Sequence, residues 1–83
     1  MTDNSTTFLG TERYIRYVFR DSKMLSYALY DTLSSSLLVI FHNGSHYEYY
    51  GVDQSTFDEL IAATSAGTYF STVIRKFNCQ RIK

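Results

Sequence analysis

The chain has no proline and no tryptophan, and it has one cysteine, Cys79. A lone cysteine excludes an internal disulfide, and no paired Cys/His spacing offers a zinc site, so the composition suits a reducing compartment, with the cytosol as the default. Long hydrophobic runs are missing too. No segment approaches the roughly 18 apolar residues of a membrane-spanning helix, and the opening MTDNSTTFLGTERY has neither a basic start nor a sustained apolar stretch. A soluble, unprocessed, cytoplasmic protein is therefore expected. Charge of one sign is also lacking in excess, since eight Lys and Arg balance eight Asp and Glu. Proteins that coat long nucleic acid bind chiefly through Lys and Arg displacing counterions at phosphates, and zero net charge weighs against that class.

The distribution of charge is more informative than its sum. Every carboxylate lies at or before Glu59, whereas residues 75–83 (RKFNCQRIK) hold Arg75, Lys76, Arg81 and Lys83 and no acid. A second basic group, Arg13, Arg16, Arg20 and Lys23, is diluted by Glu12 and Asp21. Two local basic patches can form, set against the plainer reading that these are solvated surface charges.

Eighty-three residues make one domain, of a size that buries roughly 60 to 65% of its unfolded surface and gains from a second copy. Residues 1–21 read as an N-terminal extension. Its first part is polar and small, a loose arm, and RYIRYVF (13–19) is an extended segment or a short helix. The domain proper occupies 22–83. MLSYALY (24–30), SLLVIF (36–41) and SHYEYY (45–50) read as strands, with DTLSS (31–35) and Asn43-Gly44 as their turns. Helical spacing then takes over. Phe57, Leu60, Ile61 and Thr64 recur at i, i+3, i+4 and i+7, started by Asp53 or by a capping box at Ser55 and stopped at Gly67. Phe70, Val73, Ile74 and Phe77 repeat the spacing in a second short helix. The expected fold is α+β: an antiparallel meander of three strands, or four with the 13–19 segment, followed by two short helices packed on one face.

Eight tyrosines crowd this small chain, three of them in HYEYYGVD. Hairpin register decides what they do. A two-residue turn at Asn43-Gly44 sets Phe41 opposite His46, whereas a three-residue loop with a glycine bulge, the register favoured here, sets Phe41 opposite Tyr47 and Val39 opposite Tyr49. Leu37, Val39, Phe41, Tyr47 and Tyr49 then lie under the helices. Leu38, Ile40, His42, His46, Glu48 and Tyr50 fall on the back, where Leu38, Ile40 and Tyr50 make an apolar patch that two helices on the other face cannot cover. Either RYIRYVF or a second copy should cover it, and a homo-oligomer is expected.

From Ser22 to Lys83 the chain resembles the KTSC domain, a short module named for its place at the C-terminus of some lysyl-tRNA synthetases and also found alone in bacterial and phage proteins. Tyr30-Asp31, Leu37-x-Val39-x-Phe41, Asn43-Gly44, Tyr47-x-Tyr49, Gly51-Val52, Ser65-x-Gly67-x-Tyr69-Phe70 and Ile74-Arg75 carry the resemblance by their order and spacing. Asp53 and Ser71 stand where the family commonly has proline and asparagine, and Leu38 and Ile40 where it tends to carry charge. RNA binding has been suggested for the family from its synthetase context, so the resemblance implies a binding module, without a cofactor, more than an enzyme.

The residues offer little for catalysis. Cys79 has no histidine near it in sequence, and although His42, His46 and Glu48 are enough ligands for a metal, solvated turn histidines are far commoner than a site there. Binding is better served. Ser65, Gly67, Tyr69 and Arg75 come from the helix junction and the helix after it, where free backbone donors and a forked guanidinium suit a phosphate. Lys76 and Arg81 add field, and tyrosines such as Tyr69 and Tyr49 can stack on bases. The expected ligand is a nucleotide or a short RNA strand, captured and held, as a stand-alone phage protein could use it. Two alternatives stand beside it: Tyr69, Phe70 and Arg75 as structural residues, and a protein-interaction module working through the Leu38, Ile40 and Tyr50 face.

Overall fold

In a computed structural model, residues 13–83 are described; the loose arm expected over residues 1–11 lies outside them. Five strands form one antiparallel sheet whose order follows the chain: β1 (Tyr14–Val18), β2 (Leu25–Asp31), β3 (Ser36–Phe41), β4 (His46–Tyr50) and, after the helices, β5 (Cys79–Arg81). Between β4 and β5 run α1 (Gln54–Ala62), α2 (Ala66–Thr72) and a 3-10 turn (Ile74–Lys76). The three central strands begin and end within a residue of where alternation and turn residues set them. RYIRYVF takes the extended alternative as β1, pairing with β2. β5 is an addition to the expected three or four strands: three exposed residues directly after a helical stretch have no alternating pattern to announce them.

The β3–β4 loop is the three-residue type with Gly44 at φ +91°, and its register differs from the expected one by two positions. Phe41 pairs with Ser45, Val39 with Tyr47 and Leu37 with Tyr49. A shift of two leaves each side chain on its face, so the allocation of residues survives the error in pairing. A bulge between Leu25 and Tyr27 has the opposite effect on β2. The extra residue turns Leu25 onto the helix side, opposite Phe41, where it is fully buried.

The first helix starts at one of the two expected caps, but the helices stop differently from the expectation. Asp53 caps α1, its carboxylate accepting from the Thr56 amide at 3.0 Å and the Thr56 hydroxyl at 2.6 Å. α1 ends at Ala62, ahead of Gly67, which sits instead in the first turn of α2. A Cβ at Gly67 would meet only ordinary contacts, the nearest being Met24 Cε at 3.8 Å, so no backbone demand explains the glycine. The second helix is split: α2 stops at Thr72, and Ile74 enters the core from the 3-10 turn.

Helix and sheet meet over Leu25, Ala28, Tyr30, Leu37, Val39 and Tyr49 from the strands and Val52, Phe57, Leu60, Phe70 and Ile74 from the segment above. Tyr30 is the centre of this contact. Its ring stacks on Phe57 at 4.8 Å and 9°, and its hydroxyl donates to the Val52 carbonyl at 2.6 Å, both deep in the core. Asp31, the next residue, is buried at the other end of β2's hydrogen-bonding needs. Its carboxylate takes a forked contact from Arg13 (3.0 and 2.9 Å) and accepts from the amides of Leu33 and Ser34 in the following turn. The Arg13 hydrogen bond holds the Asp31 carboxyl well below the usual range against its burial.

Two measurements check this core. Tyr30→Phe keeps the stack and removes only the donor to Val52, and urea denaturation should report a loss of about 1 to 3 kcal/mol, the cost of leaving a buried acceptor without it; a neutral result would mean the bond contributes nothing. For Asp31 the sign follows from a lowered folded pKa. Its contribution is complete above the unfolded carboxylate value of about 3.9 and is lost progressively as pH falls below that. Asp31→Asn should therefore be less stable than the parent at pH 7, with the difference shrinking as urea melts are taken down from pH 4.

Candidate functional site

On the helix side, where β4 and β5 meet the end of α2, a cleft of about 380 Å³ opens beside the β3–β4 loop. Its walls are aromatic. Phe41 stands edge-on to Tyr47 (5.8 Å) and Phe70 (5.3 Å), and Tyr49 stands edge-on to Phe70 (5.6 Å). These four rings come together because the register puts Tyr47 and Tyr49 on one face with Phe41, and because helical spacing drops Phe70 onto them. Cys79, paired with Tyr49 in the sheet, closes one side, and Arg75 from the 3-10 turn closes another.

Asn43 and Ser45 at the rim of the cleft bond each other, but two of its polar groups have no such partner among the described residues. Arg75 is exposed, its guanidinium carbon 6.0 Å from the centre of the Phe70 ring, and it makes no hydrogen bond or ion pair among the described residues. Tyr49 is only 4% exposed, and its hydroxyl likewise has no hydrogen-bond partner there. Burial pushes that hydroxyl up to about 12, the neighbouring Cys79 adds to the rise, and Arg75 opposes it. Arg81 lies over Tyr47 at 5.8 Å, adding a second guanidinium beside the same ring cluster, although its Nε already donates to the Lys83 carbonyl.

The structure divides the residues that the sequence gathered. Tyr49 and Arg75 meet in the aromatic cleft, and Arg81 flanks it. Ser65 and Gly67 line a different, larger cleft of about 750 Å³ between the β1–β2 turn and the α1–α2 junction, rimmed by Arg20 and Lys23. Four of that cleft's serine and threonine hydroxyls are occupied, while those of Thr64 and Ser71, both exposed, have no partner among the described residues. Ser65 caps α2 through the Thr68 amide and bonds the Thr68 hydroxyl, Ser22 accepts from the Met24 and Leu25 amides, and Thr72 donates to the Thr68 carbonyl. Tyr69 belongs to neither: its hydroxyl donates to Glu59 at 2.7 Å, and burial together with that bond pushes it up to about 12. Lys76 lines neither cleft. Conversely, Phe41, Tyr47 and Cys79 belong to the site but were read as core or as an ordinary side chain. For Phe41 and Tyr47 the hairpin register carried the signal; for Cys79, unread β5 held it.

The other face of the sheet carries no helix. β1 extends that face as an edge strand, so RYIRYVF does not cover Leu38, Ile40 and Tyr50 as one alternative required; Phe19 turns into the core and Ile15 packs against it from the helix side. Ile40 is 5% exposed, screened by its neighbours, whereas Tyr50 is 39% exposed. His42 and His46 are engaged with backbone carbonyls, those of Ser22 and Gly44, and no cluster of three metal-ligating side chains occurs among the described residues.

Comparison with known proteins agrees with this architecture. Residues 21–77 match the KTSC domain pattern, well over half of the chain. The crystal structure of a KTSC domain protein from Yersinia pestis matches with a TM-score of 0.75 at 29% identity, covering 84% of this chain and 99% of that one. No curated protein sequence matches, and no helix of the described residues is long and apolar enough to cross a membrane. A family pattern that spans well over half of the chain, with a solved relative of the same fold, shows that the chain belongs to the KTSC domain family.

Proposed function

We propose that this protein is a non-enzymatic binding module for a phosphate-bearing ligand, a nucleotide or a short single strand of RNA, held at the aromatic cleft. One observation carries the reading: Arg75 and the buried Tyr49 line the same cleft, and neither has a hydrogen-bond or ion-pair partner among the described residues. Buried tyrosines ordinarily find a hydrogen-bond partner. An unpaired hydroxyl beside an uncommitted guanidinium is the arrangement a ligand oxygen would complete, with Arg75 supplying a charge-assisted fork to phosphate. Tyr47, half-buried under Arg81, offers a ring face on which a base can stack. The larger cleft supports binding less well, because most of the serine and threonine hydroxyls that line it already satisfy backbone or each other and the remaining two, on Thr64 and Ser71, are exposed instead of buried.

A volume of about 380 Å³ suits one nucleotide unit and not a duplex. With zero net charge on the chain, discrimination falls to the local pair Arg75 and Arg81 and not to a broad field. A binding module of this kind, in a phage or a bacterium, works by holding its ligand and keeping it from other users.

Titration calorimetry with ADP and with a ten-nucleotide single-stranded RNA tests the reading. Arg75→Ala should weaken binding by about 1.5 to 3 kcal/mol, the worth of a hydrogen bond to a charged group, and leave the thermal midpoint nearly unchanged. RNA binding should weaken as salt rises, more steeply than ADP binding in proportion to the phosphates contacted. Unchanged affinity with a clear loss of stability would assign Arg75 to the fold and end this reading.

A further inference from the structure

We propose that the uncovered sheet face joins two copies of this chain in a two-fold dimer, with Arg16 of each copy set against Glu48 of the other. This surface is on the side of the sheet away from the aromatic cleft, and the inference does not rest on the ligand reading. The face is assembled from alternate residues of β1 to β4, and the pairing register arranges them in rows across the sheet. One row reads Arg16, Leu29, Leu38, Glu48; the row beside it reads Val18, Tyr27, Ile40, His46; the row at the other side reads Tyr14, Asp31, Ser36, Tyr50, its two central residues polar and already buried. Tyr14 at 56%, Val18 at 42% and Tyr50 at 39% are exposed at three corners of the face, and Tyr27, Leu29 and Leu38 are half-buried between them, Ile40 being screened already.

The central row is self-complementary. Its charges stand at opposite ends, positive on β1 and negative on β4, with two leucines between. An axis lying in the interface and running along the strands, between β2 and β3, reverses the order of strands in the second copy while keeping the rows level. Arg16 then faces Glu48 twice, Leu29 faces Leu38 twice, and Tyr27 faces Ile40 twice. Aligned packing of two sheets is the common geometry for such a contact, and an isologous interface repeats each contact by symmetry. The other two-fold, perpendicular to the strands, would set Arg16 against Arg16 and Glu48 against Glu48, so charge selects between the two. Both side chains are available for the exchange. Arg16 rests on the Tyr27 ring at 4.6 Å, Glu48 accepts only a 3.2 Å bond from the exposed Tyr50 hydroxyl, and neither is in an ion pair among the described residues. β5 lies beyond the symmetric overlap, which leaves the aromatic cleft on the outer side of each copy.

Sedimentation equilibrium of the whole chain tests the arrangement. The parent should show twice the monomer mass at about 100 µM, a concentration matched to an interface at the small end of the stable range. Arg16→Glu and Glu48→Arg should each weaken the dimer at least about tenfold, because each places two like-charge pairs in the interface. The variant carrying both substitutions should recover the dimer, and mixing the two single variants should give a heterodimer, since all charges are then opposed again. Recovery on mixing also establishes that both single variants are folded. A monomeric parent would overturn the proposal, as would a dimer indifferent to both reversals or a double variant no better associated than the single ones.

Discussion

The bond from the Tyr30 hydroxyl to the Val52 carbonyl, 2.6 Å long and out of reach of solvent, ties the two layers of this protein together. Val52 lies just past the end of β4, where Gly51 at φ +73° lets the chain leave the sheet, and Asp53 begins α1 immediately after it. Fixing Val52 to the middle of the sheet therefore fixes the point from which both helices depart. The same ring stacks on Phe57, one turn into α1, so a single side chain sets position and inclination together. Everything above the sheet, including the placement of Phe70 over Tyr49 and of Arg75 beside it, follows from that anchor.

Much of this was legible in residues. Alternation in SLLVIF and HYEYY and the Asn43-Gly44 turn gave the central hairpin and its faces, because side chains in a strand change side at every step whatever the pairing. Pairing itself depends on how many residues the loop takes, and a shift of two leaves the hydrophobic pattern unaltered, which is why Phe41 against Ser45 could not be told from Phe41 against Tyr47. Gly67 misled for a related reason. Glycine near a helical pattern commonly marks its end, yet here the chain breaks earlier, at Ala63, and the serine cap at Ser65 starts the next helix. β5 left no periodic trace at all; its three residues pair only because the helices return the chain to the edge of β4.

The candidate site was half legible for physical reasons of the same kind. Tyr49 and Arg75 could be singled out by chemistry, but their company depended on distances between elements that no spacing rule supplies. Ser65 and Tyr69 look like binding residues in one dimension because they are polar and close to a glycine. In three dimensions Ser65 is a helix cap and Tyr69 is tied to Glu59, and what sets Arg75 apart from them is the lack of any such commitment.

The order of the sheet bears on how it forms. Four strands in sequence are joined by short turns, so each hairpin can close with few residues to bring together, and local pairings of this sort form early and fast. β5 is different, since Tyr49 and Cys79 meet only after the whole helical segment has been laid down between them. Its three exposed residues make it the part of the sheet with least to lose on opening, and segments of low local stability open first. The wall of the aromatic cleft that carries Cys79, with Arg81 beside it, is thus the last to arrive and the easiest to release, and a molecule gripped there would hold β5 in register as much as β5 holds it.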